Sequence, residues 1–186
     1  MTVFVALLRA VNVGGYGKLS MADLRALLGK LGHKRVATYI QSGNAVFEAK
    51  GTAASVAQEL TRALEKHTGA AVTVIVRTYD ELSRVIAENP FAAEAAADGA
   101  RVHVVFLERV APDGAADRLQ RIVEQYPARR DRFHLAGDTL YLHLPDGAAE
   151  TKFTGKPVDR ALGGVMGTAR NWNTVVKLRA MSKRGE

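Results

Sequence analysis

The stretch VFVALL, residues 3–8, decides how the fold begins. All six side chains are apolar and two are valine, a pattern that is typical of a central strand buried on both of its faces. Helices can bury the apolar side chains on one face of such a strand, and other parts of the chain must bury those on the opposite face. We expect the opposite face to be covered by the other half of the chain or by a closing helix, and hence an intimate contact between the halves.

The segments that follow residues 3–8 predict a βαββαβ order. Ser20 and Asp23 have the spacing of a helix N-cap, leucines recur at helical intervals after them, and Gly32 is placed to end that helix. Strands at 35–40 and 45–48 meet at Ser42-Gly43-Asn44, which suits a tight hairpin. A helix at 52–67 and a strand at 72–76 complete a ferredoxin-like half.

The same order then repeats. Further elements are a helix at 79–88, an Ala-rich stretch at 92–97 that suits helix or loop, a strand at 101–107, a helix at 113–125, strands at 132–135 and 139–144 around Gly137-Asp138, and helices near 158–162 and at 170–181. The fold class is therefore α+β, with two ferredoxin-like halves packed together and a closing C-terminal helix. The predicted bounds are 1–78 for the first half, 79–100 for a helical linker, 101–182 for the second half with the closing helix, and 183–186 for a basic tail.

Composition limits the classes of function. The 186 residues include 26 Lys and Arg against 19 Asp and Glu, a net charge of +7 that favours anionic partners. The absence of cysteine excludes disulfides, thiolate metal sites and cysteine nucleophiles. No signal peptide or membrane-length apolar run is recognisable, so we expect a cytoplasmic protein with no membrane partner. No acidic residue stands at metal-ligand spacing from the histidines and no HExxH motif is present, so we expect no metal, and we also expect no cofactor.

The second hairpin predicts a polar sheet face. With Gly137-Asp138 as a two-residue turn, Leu135 pairs with Leu140 and His134 with Tyr141, and side chains alternate between faces. The apolar set faces the core. The other face is predicted to carry Arg, His and Tyr side chains, namely Arg101, His103, Arg132, His134, Tyr141 and His143. An RNA or ligand platform and an ordinary solvated face both fit this pattern.

Two further segments are rich in polar groups. The loop from Asn12 to Ser20, with Gly14, Gly15, Gly17 and Lys18, lies between a strand and a helix, where backbone N–H groups can hold an anion or the loop can simply be flexible. Its spacing matches neither a Walker A loop nor a dinucleotide fingerprint. The segment from Arg170 to Thr174 has more donors than a helix start requires, although Trp172 can pack in the core while one Asn caps the helix.

Four segments together resemble a known bacterial family, Domain of Unknown Function 1697. They are LLRAVNVGG at 7–15, TYIQSGN at 38–44, NPF at 89–91 and RNWNT at 170–174. Ala10, Ala45 and Ala169 depart from the usual pattern. The resemblance spans nearly the whole chain, implies two ferredoxin-like halves and implies no activity. It also implies that ten polar residues belong to shared motifs: Arg9, Asn12, Lys18, Gln41, Ser42, Asn44, Lys152, Arg170, Asn171 and Asn173.

We expect these ten residues to form a ligand-binding site in a polar pocket between the halves, because packing alone does not demand polar groups at strand ends and turns. The predicted ligand is anionic, either a nucleotide-like metabolite or nucleic acid. A small cofactor-independent enzyme using the same pocket and a protein-interaction or dimerisation module are the alternatives. The sequence names no catalytic residue, no reaction and no oligomeric state.

Overall fold

A computed structural model describes residues 1–9, 11 and 18–183 of the chain. Ala10, residues 12–17 of the predicted glycine-rich loop (Asn12 among them) and residues 184–186 of the predicted basic tail lie outside the described residues. The chain divides into two compact units, Met1–Ile86 with Val176–Glu186, and Ala87–Val175. The division between the units falls inside the predicted 79–100 linker, and the end of the last helix groups with the first unit.

The first unit has the βαββαβ order. Its elements are β1 (Thr2–Leu8), α1 (Met21–Lys30), β2 (Lys34–Tyr39), β3 (Asn44–Ala49), α2 (Ala53–Thr68), β4 (Val74–Thr78) and then α3 (Tyr79–Ala87). The sheet order is β2-β3-β1-β4, with every neighbouring pair antiparallel. This is the strand order that places two crossover helices on one face of a ferredoxin-like sheet.

The second unit repeats the plan. Its elements are α4 (Ala92–Ala97), a 3-10 turn (Gly99–Arg101), β5 (Val102–Leu107), α5 (Ala115–Gln125), β6 (Arg132–Ala136), β7 (Thr139–His143), α6 (Gly155–Ala161), β8 (Gly167–Asn171) and α7 (Trp172–Ser182). The sheet order is β6-β7-β5-β8, again all antiparallel. The α+β fold with two ferredoxin-like units and a C-terminal helix is thus confirmed.

Local sequence signals fix the helix ends. The Ser20 hydroxyl accepts a hydrogen bond from the Asp23 N–H (3.0 Å), and Thr52 and Ser55 form a reciprocal capping box on α2. Gly69 ends α2 with a φ of 71°, a conformation that glycine adopts without a steric penalty. These caps satisfy orphan backbone groups, so the helices begin and end where the sequence indicates.

The central strand β1 is buried on both faces, as its composition predicts. Phe4, Ala6 and Leu8 belong to the core under α1 and α2. Val5 and Leu7 point to the opposite face and are also fully buried. Burying a valine, leucine or phenylalanine side chain contributes about 1.5–3 kcal/mol, so these contacts anchor β1 firmly in the first unit.

The predicted helix at 170–181 starts two residues too early. Arg170 and Asn171 are the last residues of β8, and α7 begins at Trp172. The strand GTARN is short and contains Gly and Arg, so its period-two pattern is indistinguishable from a polar helix start in sequence. Pairing with β5, rather than local propensity, makes it a strand.

Candidate anion-binding site

The ten predicted site residues divide between the two units. Those in the first unit are Arg9, Lys18, Gln41, Ser42 and Asn44, and those in the second are Lys152, Arg170, Asn171 and Asn173. Asn12 lies outside the described residues.

The first unit brings Arg9 and the β2–β3 turn to one end of the sheet. The Leu8 N–H donates to the Gly43 carbonyl and the Arg9 N–H donates to the Thr73 carbonyl, both at 2.9 Å. Gly43 has a φ of 80°, and a Cβ there would lie 2.5 Å from Val11 Cγ2 and 2.9 Å from Leu8 Cβ. Only glycine lets the turn lie this close to the end of β1, so the turn and Arg9 are held together.

Lys18 belongs to the same end of the first unit. Strands β1 and β2 run in the same direction, because both are antiparallel to β3. Helix α1 follows β1 and precedes β2, and so its N-terminus belongs to the end of the sheet at which β1 finishes and Arg9 follows. Lys18 is exposed and precedes the N-cap Ser20 by two residues. We call the group of Arg9, Lys18, Gln41 and Ser42 the Arg9 end.

Asn44 shapes the turn from inside. Its side chain is fully buried, and Nδ2 donates to the Tyr39 carbonyl (2.9 Å) and to Ser42 Oγ (3.0 Å). Gln41 and Ser42 are exposed, and Ile40 before them has a φ of 47° with 49% of its surface exposed. A β-branched residue with positive φ is a strained conformation. The turn is therefore held in an unusual shape that presents Gln41 and Ser42 to solvent.

The second unit has the same backbone arrangement with different side chains. The Leu107 N–H donates to the Asp138 carbonyl and the Glu108 N–H to the Met166 carbonyl, both at 2.9 Å. Glu108 thus occupies the position equivalent to Arg9. A turn of Gly137 and Asp138 replaces the longer polar turn of the first unit. At this end the second unit therefore has a carboxylate, ion-paired with Arg109 (2.7 Å), where the first unit has Arg9.

Net charge follows the same division. The first unit, Met1–Ile86 with Val176–Glu186, contains 15 Lys and Arg against 7 Asp and Glu, whereas Ala87–Val175 contains 11 against 12. In the second unit arginines pair with carboxylates, as in Arg130–Asp146 (2.6 Å) and Arg129–Glu150 (3.3 Å). The positive charge of the chain therefore resides in the first unit, a result that a count by halves would have revealed in the sequence.

Arg170 is a buried residue of β8. It is 6% exposed, and its Nη1 donates to Thr168 Oγ1 (2.8 Å) and to the Ala169 carbonyl (2.7 Å). Burial lowers the pKa of its guanidinium to about 10, which leaves it protonated at neutral pH. Arg77 is its equivalent in β4: it pairs with Val5 as Arg170 pairs with Val104, and its Nη1 donates to the carbonyl before it (3.1 Å).

The segment after each buried arginine also repeats. Asn171 Oδ1 accepts a hydrogen bond from the Thr174 N–H (2.9 Å), as Thr78 Oγ1 accepts one from the Glu81 N–H (3.3 Å). Each therefore caps a helix that begins with an aromatic residue, Trp172 or Tyr79. The polar density of the 170–174 segment is thus explained in part by strand ending and helix capping.

Asn173 and Lys152 lie elsewhere in the second unit. A Cβ at Gly99 would collide with Asn173 Oδ1, so this side chain rests on the backbone of the 3-10 turn. The Lys152 ammonium lies 5.6 Å from the centre of the Tyr126 ring. Lys152 adjoins Phe153 in the core under the helices, whereas Arg170 points to the opposite face of the sheet. The structure does not bring Lys152 and Arg170 together.

The predicted Arg, His and Tyr face is correct for the hairpin and wrong for β5. The hairpin register is as predicted, with Arg132 opposite His143 and His134 opposite Tyr141. However, Val104 lies opposite Tyr141, and therefore apolar side chains of β5 share this face while His103 points toward the helices. Tyr141 is buried, which raises its pKa to about 12.

A cluster that the sequence did not reveal lies at the edge of this face. Arg132 Nη2 bonds Glu94 of α4 and lies 2.9 Å from His143 Nδ1, and its guanidinium stacks over Phe91. Burial and the Arg132 charge lower the pKa of His143, and the bond to Arg132 lowers the pKa of Glu94. The NPF motif at 89–91 thus supplies a ring that holds α4 on the sheet. Among the described residues, no group of three acidic or histidine side chains is placed to hold a metal.

Comparison with known proteins agrees with the class that the fold defines, a protein of two ferredoxin-like units. Residues 1–141 match the family described as Protein of unknown function (DUF1697), and the chain belongs to that family. A conserved bacterial protein of known structure, SP0830 from Streptococcus pneumoniae, is 22% identical, with a TM-score of 0.69 over 98% of this chain and 99% of that chain. This likeness shows the fold. No curated protein matches the chain.

No helix within residues 1–9, 11 and 18–183 has the length and apolar character needed to cross a membrane.

Proposed function

We propose that the protein binds an anionic ligand, a nucleotide-like metabolite or nucleic acid, at the Arg9 end of the first unit. The observation that carries the proposal is the opposite charge at two equivalent positions, Arg9 after β1 and Glu108 after β5. The whole first unit has the same sign, with a net charge of +8 from its 15 basic and 7 acidic residues. A basic field of this kind attracts anions and speeds their association.

The chemistry of the Arg9 end suits phosphate or carboxylate. An arginine donates two parallel hydrogen bonds to such a group, and a lysine adds a point charge. The Gln41 amide and the Ser42 hydroxyl are exposed on the turn beside Arg9 and are able to give directional hydrogen bonds. The left-handed backbone at Ile40 supports this assignment, because strained residues cluster at ligand sites.

Binding is preferred to catalysis because the four residues of the Arg9 end include no histidine and no carboxylate to act as a general acid or base. The Asp23 carboxylate accepts a hydrogen bond from Ser20 Oγ at 2.6 Å. His33 lies at the other end of α1, where it stacks on Phe47 with ring centres 4.8 Å apart. A positioned base within hydrogen-bond reach is the minimum for general acid–base chemistry.

Thermal unfolding with ATP, pyrophosphate and a short single-stranded RNA tests the proposal. A ligand present at a hundredfold excess over its Kd adds about 2.7 kcal/mol of stability, or about 5–10 °C in Tm for a chain of this length. Arg9→Glu, which copies the second unit, should abolish the shift. Glu108→Gln, at the equivalent position, is the matched control and should preserve it. No shift with any probe, or a shift that survives Arg9→Glu, would refute the assignment.

Salt distinguishes the two ligand classes. Binding of nucleic acid releases counterions, so its affinity falls steeply between about 50 and 200 mM salt when several phosphates are contacted. A single nucleotide makes few contacts, and its affinity should change much less. The slope for RNA should also decrease in Arg9→Glu, because one phosphate contact is lost.

A further inference from the structure

We propose that two copies of this chain associate through strand β6 of the second unit, with the two β6 strands antiparallel about a two-fold axis at His134. The partner is a second copy because the exposed edge of β6 is complementary to itself. This association goes beyond ligand binding and involves residues outside the Arg9 end.

The equivalent edge strands β2 and β6 differ in their outer edges. The β2–β3 register shifts between Lys34 and Ala37, and Arg35 has a φ of 50°. A bulge with charged side chains is a common device that prevents a sheet edge from pairing with another chain. In contrast, all five residues of β6 pair with β7 in continuous register. No proline, lysine or bulge interrupts β6, and so its edge is available for pairing.

The hairpin turn determines which backbone groups face outward. In a two-residue turn, the flanking residues Ala136 and Thr139 form a hydrogen-bonded pair, and such pairs alternate along the ladder. The N–H and C=O groups of Phe133 and Leu135 therefore point away from β7. Within the described residues, neither Phe133 nor Leu135 makes a backbone hydrogen bond outside the ladder.

One antiparallel register pairs both outward residues of each strand at the same time. When His134 lies opposite His134 of the second copy, Phe133 lies opposite Leu135, and the two pairs form four hydrogen bonds. Phe133 and Leu135 are partly buried side chains that adjoin the core of the second unit. The new contact places Phe133 of each copy beside Leu135 of the other copy. It therefore covers apolar surface on the helix side of both sheets.

The side chains on the other face tolerate the same register. Arg132 lies opposite Ala136, the smallest side chain of the strand, and the two Arg132 residues are four positions apart, about 14 Å at the rise of an extended chain. Arg132 also keeps its Glu94 partner on its own copy. No pair of like formal charges is therefore placed directly opposite, which would be destabilising.

The absence of cysteine in the chain allows a direct test. His134→Cys places one thiol at the proposed two-fold axis, where a non-hydrogen-bonded pair has Cα atoms about 4.5 Å apart, within disulfide range. Mild oxidation should give a disulfide-linked dimer in high yield. Ala136→Cys, on the same strand and face, is the matched control and should remain uncross-linked. Equal cross-linking of both variants, or none at His134→Cys, would overturn the proposed register.

Sedimentation of the unmodified chain tests the association itself. The mass should approach twice 20.0 kDa at about 100 µM, because small interfaces bind weakly. Leu135→Pro removes an outward N–H without touching the β7 ladder, a substitution that an edge strand accepts, and should give a folded monomer with unchanged circular dichroism. A wild-type chain that stays monomeric, or a Leu135→Pro chain that still dimerises, would overturn the proposal.

Discussion

The first unit ends its central strand at Arg9, whereas the second ends its central strand at Glu108, although the backbones around the two residues make the same hydrogen bonds. The neighbouring turn contains Gln41 and Ser42 in the first unit and only Gly137-Asp138 in the second. The same backbone arrangement thus occurs in both units, while the side chains at one end of the sheet differ. The difference separates the backbone arrangement that holds the fold from the end of the first unit at which we propose that an anion binds.

The largest expected effect compares the two turn glycines. Gly43→Ala should lower the free energy of unfolding by about 2–5 kcal/mol, because positive φ and overpacking against Val11 and Leu8 both act there. Gly137→Ala should cost about 1–2 kcal/mol, since a Cβ at Gly137 meets nothing within 4 Å. Urea unfolding of the two variants measures the difference. Equal costs would show that the first turn does not rest on the end of β1.

A smaller effect tests the repeated arginines. Arg77→Met and Arg170→Met should each lower the free energy of unfolding by about 1–3 kcal/mol, because buried carbonyls lose their donors. Arg84→Met, at an exposed position of α3, should change it by less than about 0.5 kcal/mol. If only one of the two buried-arginine substitutions lowers the free energy of unfolding, the two positions are not equivalent.

The smallest effect concerns His143 in the second unit. Its pKa is lowered by burial and by Arg132, so Arg132→Met should raise it toward 6.5. Because folded His143 binds a proton less readily than unfolded His143, its contribution to stability is present above the unfolded pKa of about 6.5 and is lost as pH falls below that value through the lowered folded pKa. NMR titration of the ring protons measures the shift. An unchanged pKa would mean that burial alone sets it.

Much of the fold follows from the sequence because its signals are local. The caps at Ser20 and Thr52 and the register around Gly137-Asp138 depend on residues a few positions apart. Strand β8 escaped prediction because GTARN becomes a strand only by pairing with β5. The face of His103 was assigned wrongly because it depends on the register between β5 and β7, and a shift of one residue reverses every side chain.

The candidate site was less accessible to sequence reasoning. Arg9 and the Gln41-Ser42 turn are about thirty positions apart in the sequence, and their proximity follows from the β1–β3 pairing. The equivalence of Arg77 and Arg170, and of Arg9 and Glu108, likewise appears only when the two registers are compared. Motif reasoning grouped Lys152 and Arg170, which lie on opposite sides of the second sheet.

Backbone hydrogen exchange with and without ATP or a short single-stranded RNA would test the central claim most directly. If the Arg9 end binds the anion, amides at residues 8–9 and 40–44 should exchange more slowly with ligand, while the equivalent amides at 107–108 and 136–139 should not change. Protection confined to the second unit, or equal protection at both ends, would contradict the conclusion that anion binding belongs to the first unit.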